Sequence, residues 1–148
     1  MGFKDAERRG KSAPCANPMT VLLDTSVLID ILNRRGRRSE FFSELLQEGH
    51  AFACCAVTIA EVYAGMKPHE KTATEELLGG LEYFETPRKT AERAGHLKAV
   101  WARKGRALSL PDTLIAAVAI ENGLALATDH RKHYPMPELK LLPLPAID

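Results

Sequence analysis

The sequence predicts an α/β domain of three layers: a central, mainly parallel sheet of about five strands, with helices on both faces. Three observations predict it. Short apolar stretches such as TVLL, AFACC and LALAT alternate with longer stretches whose apolar residues recur at helical spacing. Gly, Pro, Asn and Ser punctuate the boundaries. At 148 residues, 45% hydrophobic and 26% charged, the chain suffices for one compact domain with a real core and falls short of two ordinary ones. Strands separated by helices return in the same direction, which makes the sheet parallel and covers both its faces.

The elements follow in order. Residues 1–18, MGFKDAERRGKSAPCANP, mix charges with Gly, Ser and Pro and lack the apolar core of a secretory signal. They read as a flexible leader to a single domain over 19–148, with Met19 as a candidate physiological start. Thr20 to Leu23 forms the first strand, after which Thr25 or Ser26 offers a side-chain oxygen to cap the helix VLIDILNRR. Asp30, within that helix, is expected to face solvent. Ser39 to His50 has apolar residues at 41, 42, 45 and 46, a helical face, and Gly49 ends it. Ala51 to Ala56 reads as a second buried strand. Thr58 is expected to cap a helix through Glu61 to Met66, stopped by Pro68, with another from Glu70 to Leu78 before Gly79-Gly80. LEYFET, 81–86, suggests a more exposed third strand. Thr90 to Lys104 carries Ala94, Leu97, Val100 and Trp101 at helical spacing and closes at Gly105. Ser109 opens the next helix, with Pro111 in its first turn and Asn122-Gly123 at its end. LALAT, 124–128, is the fourth strand and ELKLLPL contains the fifth. The chain has no detectable internal repeat or low-complexity tract.

Composition excludes several classes. A formal charge of +1 gives no global attraction to nucleic acid or anionic membrane, so any polyanion site is local. The longest apolar run, Thr113 to Ile120, is far short of the roughly 20 residues that span a bilayer. Cys15, Cys54 and Cys55 are odd in number and lack the spacing of a zinc site, which fits a reducing, cytoplasmic setting.

The acids carry the chemistry. In open parallel sheets the ligand crevice lies beyond the carboxyl ends of the strands. Asp24 follows the first strand, Asp129 follows the fourth, Asp112 sits in the first turn of a helix, and Glu61 lies on the helix after the second strand. Each has a plainer reading: Asp112 closes a Ser-x-x-Asp capping pattern with Ser109, Glu61 suits a solvated helix face, and Asp129 suits an ordinary loop. Asp24 is hardest to dismiss, because a carboxylate at the end of an apolar strand needs a strong partner. Carboxylates crowded into one crevice repel unless a divalent cation neutralises them, and hard oxygen ligands suit Mg²⁺ or Mn²⁺. Such a site points to metal-assisted phosphodiester hydrolysis. Three basic segments flank the acids: Arg34, Arg35, Arg37 and Arg38; then Arg103, Lys104 and Arg106; then His130, Arg131 and Lys132. They suit RNA phosphates, although basic helix ends are also favoured by the helix dipole alone.

LLDTSVLIDIL, then TIAEVYAGM, then LSLPDTLIAAVAIENGLALATDHRKHYPM resembles, in order and separation, the PIN-domain ribonucleases, in particular VapC-type toxins of bacterial toxin–antitoxin pairs. The resemblance covers roughly residues 19 to 145. It implies a magnesium-dependent endoribonuclease acting on RNA, held inactive by a cognate antitoxin and usually a homodimer. Carried over by position, Asp24, Glu61 and Asp112 match the three main acids, Ser26 the small polar residue beside the first, and Thr128 the threonine ending the fourth strand. The family generally has Asp or Asn two residues after that threonine, where this chain has His130, and Asp129 stands one residue early. Either Asp129 swings in, or three acids form the main metal shell with His130 contacting a phosphate or a metal-bound water; direct ligation by His130 would shift preference toward Mn²⁺. A haloacid-dehalogenase-type phosphatase needs a second Asp where Ser26 stands, and a receiver domain needs an acidic pair near its first strand. The alternative of another class is a catalytically silent PIN-like module that binds RNA or antitoxin.

Overall fold

The computed structural model describes residues 17–34 and 36–146. Most of the expected leader and Arg35 lie outside the described residues. The sheet begins with β1 (Thr20–Leu23) and β2 (Ala51–Cys55), continues with β3 (Glu82–Phe84), and is completed by β4 (Ala125–Ala127) and β5 (Lys140–Leu141). The strand order is β3-β2-β1-β4-β5, and every neighbouring pair is parallel. Six α-helices connect the strands: α1 (Thr25–Leu32), α2 (Arg38–Gln47), α3 (Ala56–Gly65), α4 (Lys71–Gly79), α5 (Arg88–Arg103) and α6 (Leu110–Asn122). The three-layer α/β reading holds.

Strand alternation divides the core in two. Val21 and Leu23 of β1, Phe52 of β2 and Ala125 and Ala127 of β4 face one side, where they meet Val27, Leu28 and Ile31 of α1, Phe42 of α2, Val62 of α3 and Leu77 of α4. Leu22, Ala53, Cys55 and Leu126 face the other, against Ala94 and Leu97 of α5 and the Ile115–Ala119 run of α6. Both sides of β1 and β4 are apolar because both are covered, the signature of a buried parallel sheet. Phe42 stands edge-on to Phe41 and to Phe52, with centroids 5.2 and 5.0 Å apart, pinning α2 to β2.

Several boundaries differ from expectation. The second strand stops at Cys55, and α3 starts at Ala56 rather than after Thr58. Thr58 occupies the third helical position, where its hydroxyl accepts from the Cys55 N–H at 3.0 Å. That bond, part of a capping box with Cys55, starts the helix three residues early. A 3₁₀ turn, Pro68–Glu70, joins α3 to α4. Around α6 the expectation holds: Ser109 Oγ accepts from the Asp112 N–H, and Gly123 closes the helix with φ of 64°.

The position of the crevice follows from this topology. The chain runs outward from β1 through β2 to β3, then crosses to β4 on the other side of β1. Order therefore reverses between β1 and β4, and the carboxyl ends of those two strands form the switch point.

Candidate functional site

Asp24 stands at the switch point. Its N–H donates to the Ala127 carbonyl at 3.0 Å, carrying the β1–β4 pairing one residue past the strand. With φ of −68° and ψ of 155° it is itself the cap of α1, in place of the expected Thr25 or Ser26. Its Oδ1 accepts from the Thr25 N–H at 2.8 Å, and its Oδ2 accepts from Thr128 Oγ1 at 2.7 Å. Thr128 in turn accepts from the His130 N–H, so its hydroxyl is oriented from both sides. Burial pushes the Asp24 carboxyl above the usual range; the bonds from Thr128 and Thr25 oppose this, and the charge of Asp112 adds to it.

Asp112 and Glu61 approach from the flanking helices. Asp112, in the first turn of α6, accepts from the Tyr134 hydroxyl at 3.0 Å through Oδ1, and its Oδ2 lies 3.2 Å from His133 Nδ1. The capping contribution from Ser109 is therefore present, but the Asp112 carboxylate is turned to other partners. Glu61 is exposed on α3 and accepts from Thr25 Oγ1 at 2.6 Å. Tyr134, 3% exposed, ties the set together: burial raises its hydroxyl well above the ordinary range, and the charges of Asp24, Asp112 and Glu61 push it further. It stays protonated as a neutral donor. The charges of Asp24, Asp112 and Glu61 all act on this hydroxyl, and Asp112 accepts its hydrogen bond.

Asp129 lies in a different cluster. Arg38, only 2% exposed, donates to both its carboxylate oxygens at 2.6 and 3.1 Å, donates through Nε to the Pro145 carbonyl at 3.1 Å, and lies 3.7 Å from Asp30. Two expectations are corrected. Asp30 is buried, because it borders the Val27, Leu28 and Ile31 stripe and meets a guanidinium brought in by α2. Arg38 is no surface contact for RNA, because its donors are spent inside the fold. Asp129 is held by Arg38 rather than turned toward Asp24.

Of the other basic residues, Arg34, Arg37, Arg103, Lys104, Arg106, His130, Arg131 and Lys132 are exposed. Two segments meet: Arg106 donates to the Lys132 carbonyl. Lys104 packs over the Trp101 ring at 4.4 Å.

Whether these residues fit a divalent cation is decided by donor chemistry and placement. Among the described residues, no three His, Cys, Asp or Glu side chains converge as a ready ligand set. Magnesium does not require one, since it is commonly held by one or two carboxylates with waters completing the shell. Asp24 and Asp112 meet that need with oxygen donors, and their mutual repulsion is what a cation relieves. Ser26 Oγ, two residues after Asp24 in the chain, is buried without a hydrogen-bond partner. The residues fit a cation held by two carboxylates, and they do not form a closed three-acid cage.

Sequence reasoning missed Tyr134, Thr25 as a partner of Glu61, and Arg38 as the anchor of Asp129, and it read His133 as a solvated histidine where the structure sets it against Asp112. The HRKHYPM stretch held a signal for Tyr134: an aromatic just after the fourth strand, where the crevice opens.

The PIN domain family matches residues 21–137. Ribonuclease VapC10 of Mycobacterium tuberculosis is 30% identical over 116 residues, covering 78% of this chain and 86% of that protein. Among solved structures, VapBC2 from Rickettsia felis, bound to a DNA fragment from its promoter, superposes with a TM-score of 0.75 at 25% identity, covering 84% of this chain and 98% of that one. A toxin–antitoxin complex from Klebsiella pneumoniae gives a TM-score of 0.63 at 28% identity, covering 80% and 94%.

Proposed function

The chain belongs to the PIN-domain family, and from that premise we propose that it is a divalent-metal-dependent endoribonuclease, the toxin of a toxin–antitoxin pair. One observation carries the proposal: a buried, hydrogen-bonded Asp24 at the β1–β4 switch point, with Asp112 near enough to disfavour its charge. Structural capping alone does not call for two mutually repelling carboxylates there. The names of the relatives, a VapC ribonuclease and a toxin–antitoxin complex, support the same reading.

In this reading Asp24 and Asp112 hold Mg²⁺ or Mn²⁺ directly, with Glu61 on the rim and Ser26 and Thr128 in support. A bound cation supplies charge neutralisation and Lewis-acid activation for phosphodiester hydrolysis. The protein's own residues supply order. Thr25 N–H and Thr128 fix both oxygens of Asp24, while Tyr134 and His133 fix Asp112. Asp129 contributes only if it leaves Arg38. Arg103, Lys104, Arg106, Arg131 and Lys132 offset the acids and attract the RNA backbone. The partners are an RNA substrate, a cognate antitoxin and a second copy of the chain.

The catalytically silent alternative draws on one observation, the sequestration of Asp129 by Arg38. Controlled expression with mapping of RNA 5′ ends separates the two. New ends that appear with the wild type and not with Asp112→Asn support the nuclease; no new ends, with RNA binding retained, support the silent module.

A further inference from the structure

The turn after β4 carries a feature that the hydrolysis itself does not use. His130 and His133 stack face to face, with ring centroids 5.0 Å apart and planes 11° from parallel. Both residues are exposed, so the stack is not a by-product of core packing. It is tied to the acidic site at both ends. His133 Nδ1 lies 3.2 Å from Asp112 Oδ2. The His130 N–H donates at 3.0 Å to Thr128 Oγ1, the same hydroxyl that donates to Asp24. Arg106 fastens the basic loop before α6 to the carbonyl of Lys132, which adjoins His133. Flat rings, cationic side chains and two acids thus share one short stretch of surface.

We infer that the His130–His133 stack is a platform for one unpaired base of single-stranded RNA, the nucleotide beside the phosphate that Asp24 and Asp112 address. This rests on the ribonuclease reading and adds to it how the substrate is selected. A stack of two rings keeps an outer aromatic face, and an unstacked base extends the pile by one layer. A base inside a duplex has both faces taken and gains nothing. The platform therefore favours loops and single strands over helices, and it tolerates any base because each has a π face. Arg106 and Lys132 supply the adjoining backbone charge.

The test uses the full chain in EDTA, where binding is read without cleavage. A short single-stranded RNA carries 2-aminopurine at successive positions. The expected result is quenching on binding at one position, absent when the same sequence is presented as a duplex. His130→Ala keeps the backbone bond from residue 130 to Thr128 while removing the ring and its charge near Asp24, and it abolishes the quench and weakens binding about tenfold. His130→Phe, which keeps a flat ring, retains both. The inference is overturned if no position is quenched, if the quench survives in His130→Ala, or if His130→Phe loses it as fully as the alanine variant. The two readings fail separately. A retained quench without metal-dependent cleavage removes the nuclease and leaves the platform, whereas cleavage with an unaltered quench in His130→Ala removes the platform alone.

Discussion

Asp24 holds a carboxyl where its charge is disfavoured, and stability and function pull on it in opposite directions. Its folded-state pKa lies above the ordinary value of 3.8, mainly through burial. The folded state therefore binds this proton more tightly than the unfolded chain does. The resulting penalty is absent below pH 3.8, grows as pH rises through the folded pKa and is constant above it. Asp24→Asn removes the penalty and is expected to raise Tm at pH 7 while abolishing RNA cleavage; each kcal/mol recovered adds about 2–4 °C in a chain of this size. Thermal melts of the two proteins at a series of pH values check this, with the gap closing toward pH 3.8; a variant less stable at every pH contradicts it. Asp24 was legible in the sequence because an acid ending an apolar strand is anomalous on its own. Asp30 and Arg38 were not, because neither is anomalous until α2 folds back over α1 and brings a guanidinium between Asp30 and Asp129.

At the scale of elements, α2 is joined to the end of β4 and to the C-terminal segment through that one guanidinium. Removing Arg38 leaves Asp30 buried without this guanidinium, whereas Asp129, whose side chain is 29% exposed, is rehydrated. Arg38→Met is expected to cost about 1.5–3 kcal/mol in urea unfolding, the range for hydrogen bonds to a charged group. Arg38→Lys recovers little of it, because an ammonium does not reproduce the two-pronged contact with Asp129. Arg38→Met combined with Asp129→Asn loses less than Arg38→Met alone. The two ends of α6 give smaller effects. Ser109→Ala removes the acceptor for the Asp112 N–H and costs about 1 kcal/mol. Gly123→Ala meets no neighbouring atom within 4 Å, so its cost is the backbone strain at φ of 64° alone, about 1–2 kcal/mol. Both caps were readable in advance, since Ser, Pro and Gly at those positions act through the local chain. The start of α3 was misjudged because Thr58 serves as a cap from inside the helix, a role that spacing does not distinguish from the cap position itself.

The whole molecule places the site by topology. A parallel sheet whose order reverses between β1 and β4 brings Asp24 and Thr128, which are 104 residues apart, into one hydrogen bond. Alternating strands and helices made the sheet and its two covered faces legible; the arrangement of side chains in the crevice was only partly so. Long-range partners such as Thr25 with Glu61 and Tyr134 with Asp112 arise from how the layers stack, which periodicity does not encode. Among the described residues no helix is long and apolar enough to cross a membrane.

The central claim is that Asp24 and Asp112 act together through a divalent cation to cut RNA. Its most direct measurement is cleavage of total RNA by the purified chain, free of partner, in EDTA and after Mg²⁺ or Mn²⁺ is restored, beside Asp24→Asn and Asp112→Asn. The predicted result is cleavage by the wild type only with metal, and at least a hundredfold less by either variant, about the loss expected when a principal charge-stabilising group is removed from an active site. Undiminished cleavage in EDTA, or by both variants, would contradict it.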